Sequence, residues 1–221
     1  MPARANLRVN PRAAKTARTG KSRLTGAERR ERFLDVAADL IVVSGIESVT
    51  MERVAERSGV SKALGYGYFE NSDRLLAAVF EREVAGLDRR VLARIVGVND
   101  AEERMRAIMD ETFEVVSARG PLLGRLLQHR GHGGALEAAR RKRQQFVEKF
   151  FAQMMEQDVG VPARQAAVAS AIWQAAVTGV LELALARSAP RREIVEVFAR
   201  MVVGGTRALR DKANSNSSNR R

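Results

Sequence analysis

Cysteine is absent from the 221-residue chain, which excludes disulfides and thiolate metal sites and fits a reducing cytoplasm. Sustained period-two alternation of β-branched residues is also missing, so no strand is predicted. No uncharged run reaches the roughly 18–20 residues of a membrane span. The most apolar stretch, residues 166–181, reads "AAVASAIWQAAVTGVL" and includes Ser170, Gln174, Thr178 and Gly179. It is assigned to a buried helix, and no membrane association is expected. The basic first segment is not followed by an apolar stretch of about 7–15 residues, which argues against a signal peptide. Catalytic signatures are lacking too: there is no nucleophile elbow and no HExxH. "TGKS" at 19–22 has Lys15 where a phosphate-binding loop needs glycine. The protein is not expected to be an enzyme, and no cofactor or metal is assigned.

Against these absences stands an excess of positive charge. The formal net charge is +12, with 45% hydrophobic and 29% charged residues, an ordinary globular balance apart from the sign. Residues 1–24 hold seven basic side chains and no acid: Arg4, Arg8, Arg12, Lys15, Arg18, Lys21 and Arg23. Such an arm is either a solvated, disordered leader or the electrostatic footprint of a polyanion binder. Beyond it the chain reads as all-α. Thr25 and Glu28 form a capping box for a first helix that ends near Gly45. Thr50 caps a short second helix, Ser61 a third, and Asn71 or Ser72 a longer fourth. Further helices are predicted from Asp100 to the "RGP" at 119–121, then at about 122–130, 135–157, 163–187 and 191–209. The polar end, residues 211–221, reads as a disordered tail.

The segment from Thr50 to Phe69 has the layout of a helix-turn-helix. Ala55 is the small residue where two short helices touch, and Gly59 is the residue that tolerates positive φ at the turn. Val60 plugs the gap below, and Val49 and Val54 are placed as a hydrophobic staple. With "RFLDVAADL" before it, "Y-x-YF" at the end of the third helix and "LL" in the fourth, residues 28–83 resemble the DNA-binding domain of the TetR family of transcriptional regulators. The resemblance implies a three-helix N-terminal helix-turn-helix domain, residues 25–70, joined to a helical ligand-binding and dimerisation domain, residues 71–210. It implies a homodimer whose reading heads enter successive major grooves of a palindromic operator. Carried over residue by residue, the DNA-binding set is Arg23, Thr50, Ser61, Lys62, Ala63, Leu64, Tyr66 and Tyr68. Tyr66 corresponds to a phosphate contact, while Tyr68 packs or flanks the groove; read from the residues alone, both are also candidates for core aromatics. Gly65 and Gly67 replace side chains that the family often keeps, an arrangement expected to thin the helix and bring its backbone closer to phosphates.

In the remaining helices, Met105, Met109, Thr112, Phe113, Phe146, Phe150, Trp173 and Val177 are candidates for an adaptable apolar pocket, each with plain core as the competing reading. The family resemblance adds a small-molecule effector to that expectation. Ala169, Trp173, Val180, Ile194, Phe198, Met201 and Val202 recur at helical spacing on the last two helices and are the candidate dimer interface. His129 and His132 supply too few ligands for a metal. They are read as part of a solvated loop or as a polar group at a pocket entrance, and "RRKR" at 140–143 as a solvated helix face. The leading function is a ligand-responsive, cytoplasmic, homodimeric repressor of transcription. The competing one is a sequence-non-specific architectural DNA-binding protein, which the basic arm alone would also support.

Overall fold

A computed structural model describes residues 25–118, 121–129, 133–186 and 189–218, and every element among them is helical. Helix α1, Gly26–Ser44, opens on the capping box: Thr25 Oγ1 accepts from the Glu28 amide at 3.2 Å, and the Glu28 carboxylate accepts from the Thr25 amide at 2.6 Å. It ends at Gly45, whose φ of 87° only glycine adopts without strain. After one 3₁₀ turn, Ile46–Ser48, helix α2 runs Met51–Ser58 and α3 runs Lys62–Tyr68. Thr50, Ser61 and Asn71 cap α2, α3 and α4 through side-chain oxygens.

The rest comprises α4 (Ser72–Ile95), α5 (Ala101–Ala118), α6 (Leu122–Gln128), α7 (Ala135–Met154), α8 (Ala163–Leu185) and α9 (Arg191–Ser218). Two bounds differ from those read in the sequence. Helix α7 leaves α geometry at Met155 and closes with a π-helical turn, Met155–Val159, before Gly160 at φ 80°. Helix α9 continues to Ser218, so the polar tail expected from residue 211 is helical over most of its length. Its alternating Asn and Ser residues are poor helix formers but extend a helix already nucleated upstream.

Three apolar clusters hold the helices together. The largest runs without a break from α1 and α2 (Phe33, Leu40, Ile41, Val54) through α4 (Leu75, Val79, Phe80) into α6 and the start of α7 (Leu122, Leu126, Leu136). A second joins α5 to α9 through Met105, Met109, Phe113, Val195, Phe198 and Val202. A third, around Met155, Val161, Ala166 and Ala169, secures the π-helical turn to α8.

Polar ties cross the same boundary as the first cluster. The Asp73 carboxylate, at the start of α4, accepts from the amides of Ala135 and Leu136 and so caps α7 from another helix. A Cβ at Gly134 would lie 2.6 Å from Asp73 Oδ2, so that position admits only glycine while the cap is made. Arg125 on α6 donates to the Ile41 and Val42 carbonyls at the end of α1. Arg143 on α7 grips Asp88 on α4 through both guanidinium nitrogens, at 2.7 and 2.6 Å.

The orientation of α3 depends on the glycine that interrupts it. Gly65 is buried, and a Cβ there would meet the Phe33 ring at 3.3 Å and Ala55 Cβ at 3.5 Å. Gly67, two residues on, faces open space. The thinning expected of both glycines therefore belongs to Gly67 alone, because Gly65 points inward and is a packing requirement. Gly65→Leu is predicted to destabilise the protein by about 1–3 kcal/mol through overpacking against Phe33. Gly67→Ala should stabilise it by up to about 1 kcal/mol through helix propensity. Denaturant unfolding of the two variants measures both.

Candidate nucleic-acid interface

Helical geometry decides what α3 presents. With Gly65 directed at the core, Ala63 and Gly67 form the outward crest, Lys62 and Tyr66 one flank, and Leu64 and Tyr68 the other. Thr50, Ser61, Lys62, Ala63, Leu64 and Tyr66 are all exposed, with Tyr66 at 43%. Tyr68 is different. It is half-buried, its ring centroid 5.8 Å from that of Phe33, and it packs among the core residues of α1 and α3. It lies 200° round the helix from Tyr66, on the same flank as Leu64. Arg23 and the rest of the basic arm lie outside the described residues.

The Lys62 flank is self-neutralised. The ammonium is 2.5 Å from Glu52 Oε1 on α2 and 5.8 Å from the centroid of the Tyr66 ring. The hydrogen bond from Lys62 holds the Glu52 carboxyl below the usual range, and the same bond pushes the Lys62 ammonium up. A lowered carboxyl favours the pair above the ordinary glutamate range, and that contribution fades as pH falls through the Glu52 pKa. Both groups are exposed, so the link contributes little to stability, but it holds Lys62 beside Tyr66 in the free protein. Arg53 and Arg57 stand on the exposed face of α2, i and i+4 apart.

Several of the residues expected to line a ligand pocket pack closely against one another. Met105, Met109 and Phe113 are buried in the α5–α9 cluster, with Trp173 and Val177 packed against it. Of the eight, Met105 and Trp173 line a small recess of about 10 Å³. Met154, Met155, Val202 and Thr206 complete its walls. Thr112 turns its hydroxyl back to the Ile108 carbonyl at 2.7 Å. Phe150 packs edge-on to Phe151, while Phe146 is 56% exposed beneath the Arg143 guanidinium. Periodicity marked these side chains as apolar and helical, and close packing of the cluster has filled the volume between them.

The candidate dimer residues also divide. Ala169, Phe198 and Val202 are buried within the protomer, and Trp173, Val180 and Ile194 are half-buried against its own core; only Met201, at 71%, is freely exposed. The apolar faces left open are the neighbouring ones. On α8 these are Val168, Ile172, Gly179 and Leu183, and on α9 Val197, Met201, Gly204 and Gly205. Both helices are apolar on two sides, and spacing alone does not say which side faces inward. Residues 163–183 are also long and apolar enough to cross a membrane by length and composition, a longer span than the uncharged run suggested. Within the fold this helix is tied to α7: Ser170 Oγ donates to the Glu148 carbonyl at 2.8 Å and Gln174 Nε2 to the Gln144 carbonyl at 3.1 Å. His129 Nδ1 lies 3.3 Å from Glu47 Oε1, which links the end of α6 to the turn before α2; His132 lies outside the described residues.

Comparison with known proteins bears on the same residues. The family model for bacterial regulatory proteins of the tetR family matches residues 33–79. The HTH-type transcriptional activator FasR of Mycolicibacterium smegmatis is 32% identical over 95 residues, 43% of this chain and 43% of that protein. The chain thus spans less than half the length of such curated relatives. The fold is shared more widely. A transcriptional regulator from Rhodococcus sp. Rha1 superposes with a TM-score of 0.68 at 22% identity, over 80% of this chain and 96% of that one. AibR, solved with isovaleryl coenzyme A and operator DNA, superposes with a TM-score of 0.55 at 24% identity, over 79% and 97%. Capped α2 and α3 and the left-handed turn at Gly59 all lie within the segment that matches the model for bacterial regulatory proteins of the tetR family.

Proposed function

We propose that the protein is a homodimeric, sequence-specific DNA-binding regulator of transcription in the cytoplasm, which represses by occupying a palindromic operator and is released by a small apolar effector. The observation that carries this reading is the outward surface of α3. A helix capped at Ser61 and locked inward by Gly65 displays Lys62, Ala63, Leu64 and Tyr66 around a bare crest. A crest of Ala63 and Gly67 lets the helix seat deeply in a major groove, with Tyr66 as the main projecting hydroxyl. Thr50 and Ser61 face the flanking phosphates from the starts of α2 and α3. In this reading residues 25–70 read DNA, and residues 71–210 carry effector binding and self-association.

Self-association is supported by the open apolar faces of α8 and α9. Two copies related by a twofold axis would bury Val168, Ile172, Leu183, Val197 and Met201 in a four-helix contact, with glycines allowing close approach. That arrangement also leaves no reason for α8 to enter a membrane. The effector reading is supported by the methionine-lined space between α5, α7, α8 and α9, which opens by rotamer change of Met105, Met154 and Met155. A second direction of control, activation, is favoured by the relative FasR, which is an activator.

Sites selected from random duplex DNA provide the test. Tyr66→Ala is predicted to lower affinity for the selected site at least about tenfold, the loss of one hydrogen bond to a charged group. Its unfolding free energy should stay within about 0.5 kcal/mol of the parent. Unchanged affinity would remove the tyrosine from the interface. In sedimentation equilibrium the parent is predicted to behave as two copies of the 24.3 kDa chain and Ile172→Glu as one; a parent that sediments as a single copy contradicts the dimer.

A further inference from the structure

The carbonyl ends, caps and ion pairs around α1 leave two arginines unopposed beside the reading helix. Arg29 and Arg32, i and i+3 on α1, border an open groove of about 470 Å³ whose other walls are Phe33, Ser58, Gly59, Val60 and Leu64. No carboxylate lines it. The acids of α1 that stand within one turn are committed elsewhere. Glu28 is held by the Thr25 amide, Glu31 lies 3.7 Å from Arg30 and 3.3 Å from Arg82, and Asp35 lies 2.8 Å from Arg82. Glu52, on α2, pairs with Lys62 on the far flank of α3. Among the described residues neither Arg29 nor Arg32 has an ion-pair partner. At the floor of the groove Ser58 is only 4% exposed, and its hydroxyl has no hydrogen-bond partner.

We infer that this groove is a second backbone clamp, in which Arg29 and Arg32 take phosphates of the DNA strand that passes the Leu64 flank of α3. The inference rests on the DNA-binding reading and extends it to residues outside the helix-turn-helix. The groove shares Leu64 with α3, so a duplex that receives α3 in its major groove brings one wall of phosphates past Arg29 and Arg32. The charge is placed accordingly. On the Tyr66 flank the nearest cation is spent on Glu52, and on the Leu64 flank two cations are unspent. Unpaired guanidiniums pay no cost of breaking an existing ion pair when they meet phosphate, and their forked donors match its oxygens. The apolar walls, Phe33, Val60 and Leu64, lower the local dielectric and strengthen the contact.

The experiment is the salt dependence of duplex binding by the full chain. Each neutralised phosphate contributes a slope of about −0.9 in log K against log salt. The double variant Arg29→Ala/Arg32→Ala is expected to flatten the slope by about 1.8. It should also weaken selected and random duplexes by similar factors of at least about tenfold near 0.1 M salt. Arg29→Lys/Arg32→Lys should restore most of the slope, since the charge returns. Lys149→Ala/Arg192→Ala, which removes two exposed charges from α7 and α9, should leave it unchanged. An unaltered slope in the first variant overturns the clamp, and so does an equal loss in the α7/α9 control, which would reduce the effect to net charge. A parent chain that binds no duplex would instead overturn the DNA-binding reading itself, so the two failures are separable.

Discussion

The close approach of α3 to α1 and α2 at Gly65 is the constraint on which the reading surface depends. With no side chain at that position the Phe33 ring lies against the α3 backbone and fixes the roll of the helix. Roll decides function here, because α3 has only seven residues and a turn of 100° exchanges flank for crest. Phe33 fills the volume that a larger residue at position 65 would take. The outcome is a bare crest at Ala63 and Gly67, one flank of Lys62 with Tyr66, and another of Leu64 beside two free arginines.

That surface is held on the rest of the molecule by more than a linker. One apolar cluster runs from α1 through α4 into α6 and α7, so the reading head has no core of its own to rotate about. Asp73 capping α7, Arg125 capping α1 and the Arg143–Asp88 pair attach the same junction at three points. These contacts tie α6 and α7 directly to α1 and α4. Under the proposed function, an effector shifts the reading heads only by binding one arrangement of these contacts better than another.

Much of this was legible in the sequence, and the parts that were not share a cause. Caps are local chemistry, and Thr25, Thr50, Ser61 and Asn71 are each the residue that the backbone uses. Gly59 at φ 70° follows from the turn it must make. Which side of an apolar helix faces inward is a matter of neighbours, and spacing carries no record of it. Hence Phe198 and Val202 are core where an interface was expected, and Val197 and Met201 are open beside them. Gly65 and Gly67 are identical as letters and opposite in role for the same reason. Arg29 and Arg32 do not stand out in the sequence because α1 is rich in charge of both signs, and only the structure shows which acids are already engaged. Volume is the least legible property: methionines and aromatics that could wall a pocket have packed to leave about 10 Å³.

The central claim is that a locked α3 reads sequence, as distinct from a basic protein gripping any duplex. A net charge of +12 supplies non-specific attraction in either case, so affinity alone does not separate them. The ratio of affinities for a selected palindromic site and for random duplex of equal length, at one fixed salt concentration, does. This account predicts a ratio of at least about 10³ with two protomers per site. A ratio near one would contradict it.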